Sequence, residues 1–140
     1  VAKVLVCGKT GSGNRLVVSL LRAAGVRTML YHGERQANGI RWSGNPKDPE
    51  SWTHLVIPIR DERYRQLSRT RVRPEWSEPD WDRYAFAWRY GIPILEVEYR
   101  AIVERPGRTR IGILEFVGAP SSTPWPTIIY DADAKYSNQG

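Results

Sequence analysis

Cysteine is almost missing from this chain: Cys7 is the single one in 140 residues. An intramolecular disulfide is therefore excluded, and the usage fits a reducing, cytoplasmic setting. Histidine is scarce as well, and His32, His54 and Cys7 stand too far apart in sequence to offer metal-ligand spacing, so no metal site is expected. No apolar stretch approaches the roughly 20 residues of a membrane span. The opening run VAKVLVCG has neither the basic start nor the hydrophobic length of a signal peptide, so no membrane partner is expected. Lysine is rare too. Lys3, Lys9, Lys47 and Lys135 are the only four among 21 basic residues, leaving 17 arginines against 15 acidic residues and a net charge of +6. Guanidinium forks suit phosphate and sulfate groups, which points to an anionic, nucleotide-type ligand and admits nucleic acid.

The composition, 41% hydrophobic and 26% charged, is that of a globular protein, and the length suits one domain, residues 1–140, with one sizeable core. Residues 2–7 read as a short buried strand, followed by the glycine-rich turn of residues 8–13. Leu16, Val17, Leu20, Leu21 and Ala24 then recur at helical spacing, with Gly25 as the stop. Val26 to Tyr31 reads as a second strand. Strand, glycine loop, helix and strand in that order imply a parallel sheet. Residues 34–52 form a long loop with a short hairpin around Ile40-Arg41-Trp42. Thr53 to Ile59 is another apolar run, whose Pro58 argues for an irregular end or an edge position.

Asp61 to Arg69 is polar and permits a helix, and Arg73 to Pro79 reads as a connector. Asp80 is placed to cap a helix through Trp81, Tyr84, Ala85 and Trp88 that ends near Gly91. Pro93 to Val97 is the next buried strand. Arg108 to Val117 carries Ile111, Leu114 and Val117 at helical spacing, and the tail from Ser121 reads mostly as loop. The expected fold class is α/β, a three-layer P-loop-type domain with a central parallel sheet. Of the six tryptophans, Trp81 and Trp88 are seven apart on one helix and expected in the core. Trp42, Trp52, Trp76 and Trp125 fall in loops where a flat substrate could stack.

Gly8 to Arg15 fits the phosphate-loop frame of a glycine, four residues, a glycine and two more, in the strand-to-helix context the motif requires. The closing positions depart from it. Asn14 stands where a nucleoside triphosphatase has its lysine, and Arg15 where it has the Ser or Thr that binds magnesium. A magnesium-dependent triphosphatase is disfavoured, yet loop amides at a helix N-terminus still attract an anion, with Lys9 and Arg15 adding charge.

The segment His54 to Asp61 is a strand ending in Arg60-Asp61, with Ser68 eight residues after Arg60. Together with the glycine loop this resembles the sulfotransferase family, whose second cofactor motif is a strand ending in Arg-Asp with a serine eight residues on. Val97-Glu98-Tyr99-Arg100 through Pro106 is similar to that family's strand carrying Tyr, a hydrophobic pair and Pro, and Ile113 to Pro120 resembles the helix ending that follows. The order agrees across residues 3–120. The resemblance implies 3′-phosphoadenosine 5′-phosphosulfate as cofactor. It assigns Gly11, Ser12, Gly13, Asn14 and Arg15 to the 5′-phosphosulfate end, and Arg60 and Ser68 to the 3′-phosphate. Departures are Gly11 where the family has a Lys or Arg before its Ser-Gly, Arg100 and Ala101 in place of an acidic pair, and a chain much shorter than is common there.

Sulfuryl transfer needs positive charge on the group in flight and a base for the acceptor hydroxyl or amine. Lys9 or Arg15 supplies the first. His32 and Glu34 follow the second strand, on the side where parallel sheets place ligands, and are the candidate bases; His54, at the opposite end of its strand, is structural. The acceptor is not identified by the sequence. Two other readings stay open. One is a non-catalytic module binding nucleotide, nucleic acid or a protein partner through Arg60, Arg63, Arg65, Arg69, Arg71 and Arg73; the other is a small nucleotide kinase.

Overall fold

Two uninterrupted apolar runs become the inner strands of one sheet. The computed structural model describes residues 1–9, 11–31, 35–37, 40–42, 46, 48–72, 82–126, 131 and 133–134. Strand β1 (Lys3–Val6) leads through the glycine loop into helix α1 (Asn14–Ala23) and strand β2 (Arg27–Leu30). A hairpin of β3 (Arg35–Ala37) and β4 (Ile40–Trp42) follows, pairing Arg35 with Trp42 and Ala37 with Ile40. Then come β5 (His54–Ile59), α2 (Glu62–Val72), α3 (Arg83–Tyr90), β6 (Ile94–Glu98), α4 (Tyr99–Glu104) and α5 (Pro106–Val117).

The main sheet runs β2-β1-β5-β6 with every pair parallel. Because alternate residues of a strand face opposite sides, β1 and β5 supply both faces. Val4, Val6, Val56 and Val97 pack against Val17, Leu20 and Leu21 of α1, Ile102 of α4 and Ile113 of α5. Leu5, Cys7, Leu55 and Ile57 face the other way, onto Trp52, Ile92 and the Phe86 and Ala87 of α3. Both faces are covered, which is why the inner strands read as continuous rather than alternating apolar runs. The result is the α/β architecture expected, a parallel sheet between helical layers.

Three helices stop in the same way. After α1, the Gly25 amide donates to the Arg22 carbonyl and the Val26 amide to that of Leu21, with Gly25 at φ 77°. The pairs Gly91–Trp88 and Ile92–Ala87 close α3, and Gly118–Glu115 and Ala119–Leu114 close α5. Each is a left-handed glycine stop that satisfies terminal carbonyls.

Several expectations are corrected. Pro58 lies not at an edge but inside β5, buried and paired in register with Val97. It is tolerated because the pairing of β5 with β1 ends at Val56, where the Cys7 amide donates to the Val56 carbonyl, so the missing N–H breaks no ladder bond. The chain after Glu98 is helical through Glu104 rather than a continuing strand. Asp82, not Asp80, caps α3, its carboxylate accepting from the Ala85 amide; Asp80 and Trp81 lie outside the described residues. Trp88 is 89% exposed, since α3 buries Phe86 and Ala87 and the next residue turns about 100° away. Ile111 is likewise exposed, and α5 buries Ile113, Leu114 and Val117 instead. Trp52 is not free to stack: it is buried on the α3 side, with the Lys3 ammonium 4.7 Å from its ring centre. Trp125 packs against the α1 side. Among the described residues no helix is long and apolar enough to cross a membrane.

Candidate anion-binding site

The strand order has one point where the chain reverses direction across the sheet: β2 lies on one side of β1 and β5 on the other. This is the order of flavodoxin-like doubly wound sheets, and ligands of open parallel sheets bind beyond the carboxyl ends of the strands at such a point. The glycine loop and Arg60 both sit there, at the ends of β1 and β5.

The loop is held by its own side chains. Asn14 Oδ1 accepts from the Gly8 amide at 2.7 Å, while Asn14 Nδ2 donates to the Gly8 carbonyl at 3.1 Å and the Lys9 carbonyl at 3.4 Å. Ser12, 2% exposed, donates its hydroxyl to the Lys9 carbonyl at 2.6 Å. Gly8 has no room for a side chain, because a Cβ there would stand 2.5 Å from the Pro58 carbonyl oxygen and 2.4 Å from Ser12 Oγ. Gly11 and Gly13 adopt φ of 82° and 99°, a region that glycine enters without strain. Asn14 and Ser12, expected to touch the ligand, thus have their polar groups engaged with the loop backbone.

Helix α1 begins at this loop without a side-chain cap, with no acidic residue in its first turn, and with Arg15 exposed in that turn. A cation beside the positive end of a helix is unfavourable by itself. Anion binding would relieve it. Lys9 is exposed on the same loop, and its charge helps hold the Glu62 carboxyl low. The larger causes of that shift are the bonds from Arg65 and Gln66, which bring the Glu62 pKa down to about 2.

Arg60 is placed differently from the expectation of a waiting phosphate ligand. Its guanidinium, 4% exposed, donates from Nη1 to the Gly11 carbonyl at 3.0 Å and from Nε to Asp133 Oδ1 at 2.8 Å, with Nη2 2.6 Å from the same oxygen. The plane lies 4.8 Å from the centre of the Tyr99 ring. Tyr99 also bounds the loop, since a Cβ on Gly13 would come within 3.2 Å of its ring. Arg100 extends the cluster: Nη1 reaches both oxygens of Asp131 at 2.9 Å and Asp133 Oδ2 at 3.4 Å, and Nη2 meets Glu104 at 2.8 Å. These bonds, that to Asp131 foremost, raise the Arg100 pKa and hold the Asp131 carboxyl below its usual range.

The loop and Arg60 are therefore brought together, through Gly11. Ser68 is half-buried on α2, six residues past its start, about 9 Å along the helix axis. His32 and Glu34 lie outside the described residues. His54 keeps the structural place expected: its Nδ1 lies 2.7 Å from Thr53 Oγ1 and its ring stands edge-on to Phe116 at 5.0 Å. Burial lowers its pKa.

Of the arginine run, Arg65 is 4% exposed and bound to Glu62, so neither it nor Arg60 can face a nucleic-acid backbone. Arg63 and Arg71 are exposed. Tyr99, Asp131 and Asp133 are the site residues the sequence does not announce; the only local sign is an Asp-Ala-Asp run in a loop-like tail. Among the described residues no cluster of potential metal ligands occurs. Comparison with family models, curated proteins and solved structures finds no match to the chain.

Proposed function

We propose that this chain binds the phosphate or sulfate end of a nucleotide on the loop of residues 11–15, and that it is a sulfotransferase-like protein using 3′-phosphoadenosine 5′-phosphosulfate. The observation that carries the reading is the start of α1: an uncapped N-terminus, without acid and with an exposed arginine, at the sheet's reversal point. A helix start of that kind is suited to an anion. The left-handed Gly11 and Gly13 let the backbone curve around one. The 5′ end of the cofactor fits this place. The 3′-phosphate does not fit Arg60 as the side chain stands, because Asp133 holds the guanidinium.

Bound there, the nucleotide would supply the activated sulfuryl group. Arg15 and Lys9 would hold its negative charge, and His32 or Glu34 would take the proton of a hydroxyl or amine acceptor. The absence of a hydroxyl at position 15 supports a magnesium-independent site.

The test is a calorimetric titration of adenosine 3′,5′-bisphosphate, ATP with magnesium, and sulfate into the full chain and into Arg15→Gln. Binding of the bisphosphate that survives a chelator and weakens about tenfold in the variant, the loss of roughly one charge-assisted hydrogen bond, is expected. Magnesium-dependent binding of ATP alone would favour a kinase. No response to any of the three at millimolar concentration would remove the nucleotide reading.

A further inference from the structure

Helix α3 has two apolar faces, and the core uses one of them. At about 100° per residue, Phe86 and Ala87 turn toward the sheet while Tyr84, Ala85 and Trp88 turn away from it. Trp88 is 89% exposed and Tyr84 45%. The other large exposed hydrophobics among the described residues, Val1 and Ile111, lie on other elements. Only Tyr84 and Trp88 stand one helical turn apart, where side chains are neighbours. The Tyr84 hydroxyl donates to Glu96 Oε1 on β6 at 2.9 Å, which holds the ring in place before any partner arrives. A protruding tryptophan beside a fixed aromatic ring is the composition of an interface anchor.

The charges on α3 indicate what covers this face. Asp82 and Arg89 are exposed and of opposite sign, and neither is ion-paired. One oxygen of Asp82 accepts from the Ala85 amide, which leaves the other for a partner. The two residues stand seven positions apart, hence on one flank of the helix and about 10 Å apart along its axis. Tyr84 and Trp88 occupy the opposite flank, with the small Ala85 between. A two-fold axis level with Ala85 and Phe86 sets two copies of α3 antiparallel. It brings Asp82 of each copy level with the partner's Arg89, and it keeps like flanks together, so that the aromatic rings of both copies meet on the other side. A parallel pair instead sets the charged flank against the rings.

We propose that α3 is a homodimer surface, occupied by the α3 of a second copy in antiparallel orientation, with Trp88 as anchor and Asp82 paired to the partner's Arg89. Such an interface is isologous. Its area sets its strength: the two rings contribute roughly 300 Å² per copy, well below the about 800 Å² per partner of a standard interface. The dimer is therefore weak and reversible, with a Kd on the order of 0.1 mM. It does not depend on the nucleotide reading. Helix α1 lies on the other side of the sheet, so the start of α1 stays uncovered in the dimer.

Sedimentation equilibrium of the full chain between about 10 µM and 1 mM tests this. The mean mass is expected to rise reversibly from 16.0 kDa toward twice that value, and Trp88→Ala to raise the dimer Kd at least about tenfold. A chain that stays monomeric at 1 mM, or a dimer that Trp88→Ala leaves unchanged, overturns the proposal. The orientation has its own test. Arg89→Glu and Asp82→Lys each place like charges together in their own dimers, so each alone should dimerise less than the original chain, whereas an equimolar mixture pairs opposite charges and should recover. No recovery overturns the antiparallel pairing. Where Asp82→Lys does not fold, amide NMR shifts of the unaltered chain over the same concentration range decide. Concentration-dependent shifts centred on Tyr84, Ala85 and Trp88 support the proposal, and shifts centred elsewhere, or none, overturn it.

Discussion

Asn14 occupies the position of a phosphate-loop lysine, and the hydrogen bonds it makes predict what replacing it does. Its amide is used at both ends: the oxygen accepts from the buried Gly8 N–H, and the nitrogen donates to the Gly8 and Lys9 carbonyls. Asn14→Ala leaves the Gly8 N–H without that acceptor, at about 1–3 kcal/mol, and removes donors from two carbonyls, at about 1 kcal/mol or less each. The gain in helix propensity, about 0.5 kcal/mol, offsets only a part. A net loss of about 2–3 kcal/mol is expected, which for a chain of this size lowers Tm by roughly 6–12 °C.

Asn14→Asp separates the two ends. It keeps the acceptor for Gly8 and adds a favourable charge at a helix start, about 0.3–1 kcal/mol. Against that, it sets a carboxylate oxygen where two carbonyls now receive a donor. The repulsion outweighs the charge term, so Asp should be less stable than the original Asn, though by less than Ala because the acceptor for Gly8 is kept. Asn14→Lys restores the triphosphatase pattern but offers Gly8 no acceptor; it should melt like Asn14→Ala and gain no magnesium-dependent ATP binding. Thermal and urea melts of the three variants, with an ATP titration of the last, test this. An aspartate variant as stable as the original chain would refute the role of the Nδ2 bonds, and an alanine variant within 0.5 kcal/mol of it, about the spread of an ordinary surface change, would refute the whole assignment.

Gly8→Ala forces a Cβ to within 2.5 Å of the Pro58 carbonyl, a backbone atom that cannot turn aside, so it should cost more than Asn14→Ala in the same melts; equal or smaller losses would show that the loop gives way. On α3, Phe86→Ala should cost about 3–5 kcal/mol while Trp88→Ala, at an 89% exposed position, stays within about 0.5 kcal/mol, and a reversed ranking in urea denaturation would mean the helix faces the other way. Acid should weaken the fold through Glu62. Its folded pKa is lowered, from 4.5 to about 2, so its contribution is present above pH 4.5 and lost as pH falls toward 2; because the carboxylate is 64% exposed, solvent screening keeps the effect below about 1 kcal/mol. Glu62→Gln should therefore narrow the stability gap between pH 5 and pH 2, and an unchanged gap would show that the Arg65 pair contributes nothing.

Much of the fold is legible because its signals are local. A strand covered on both faces must be apolar throughout, and residues 3–7 and 54–59 are nearly so; a helix that ends on a left-handed glycine needs Gly25, Gly91 or Gly118 at its stop. The errors share a cause. Hydrophobicity and spacing point Trp88 and Ile111 inward, because they locate a stripe without fixing which neighbouring residue the tertiary contact chooses. On α3 the small Ala87 and the ring of Phe86 lie against Leu5 and Ile57, and the large Trp88 is left outside. Pro58 misled for a subtler reason: a proline is barred from an inner strand only where its N–H would have been used, and here the neighbouring pairing has already ended.

The site divides along the same line. Its loop is local, a run of residues 8–15 whose glycines and chain direction are visible in the sequence, whereas its charge balance is long-range. Arg60 reads as available only until Asp133 is placed against it, and no local pattern connects residues 73 positions apart. Arg65 is likewise neutralised by Glu62 within one turn of helix. The excess of +6 is therefore a poor guide to where an anion would bind, because the buried guanidiniums bring their own carboxylates with them. What distinguishes the loop is that Lys9 and Arg15 are exposed around a helix start that has no acid and no side-chain cap. Arginine count alone points to the α2 run and a nucleic-acid surface; arginine environment points instead to the glycine loop, where Lys9 and Arg15 stand exposed.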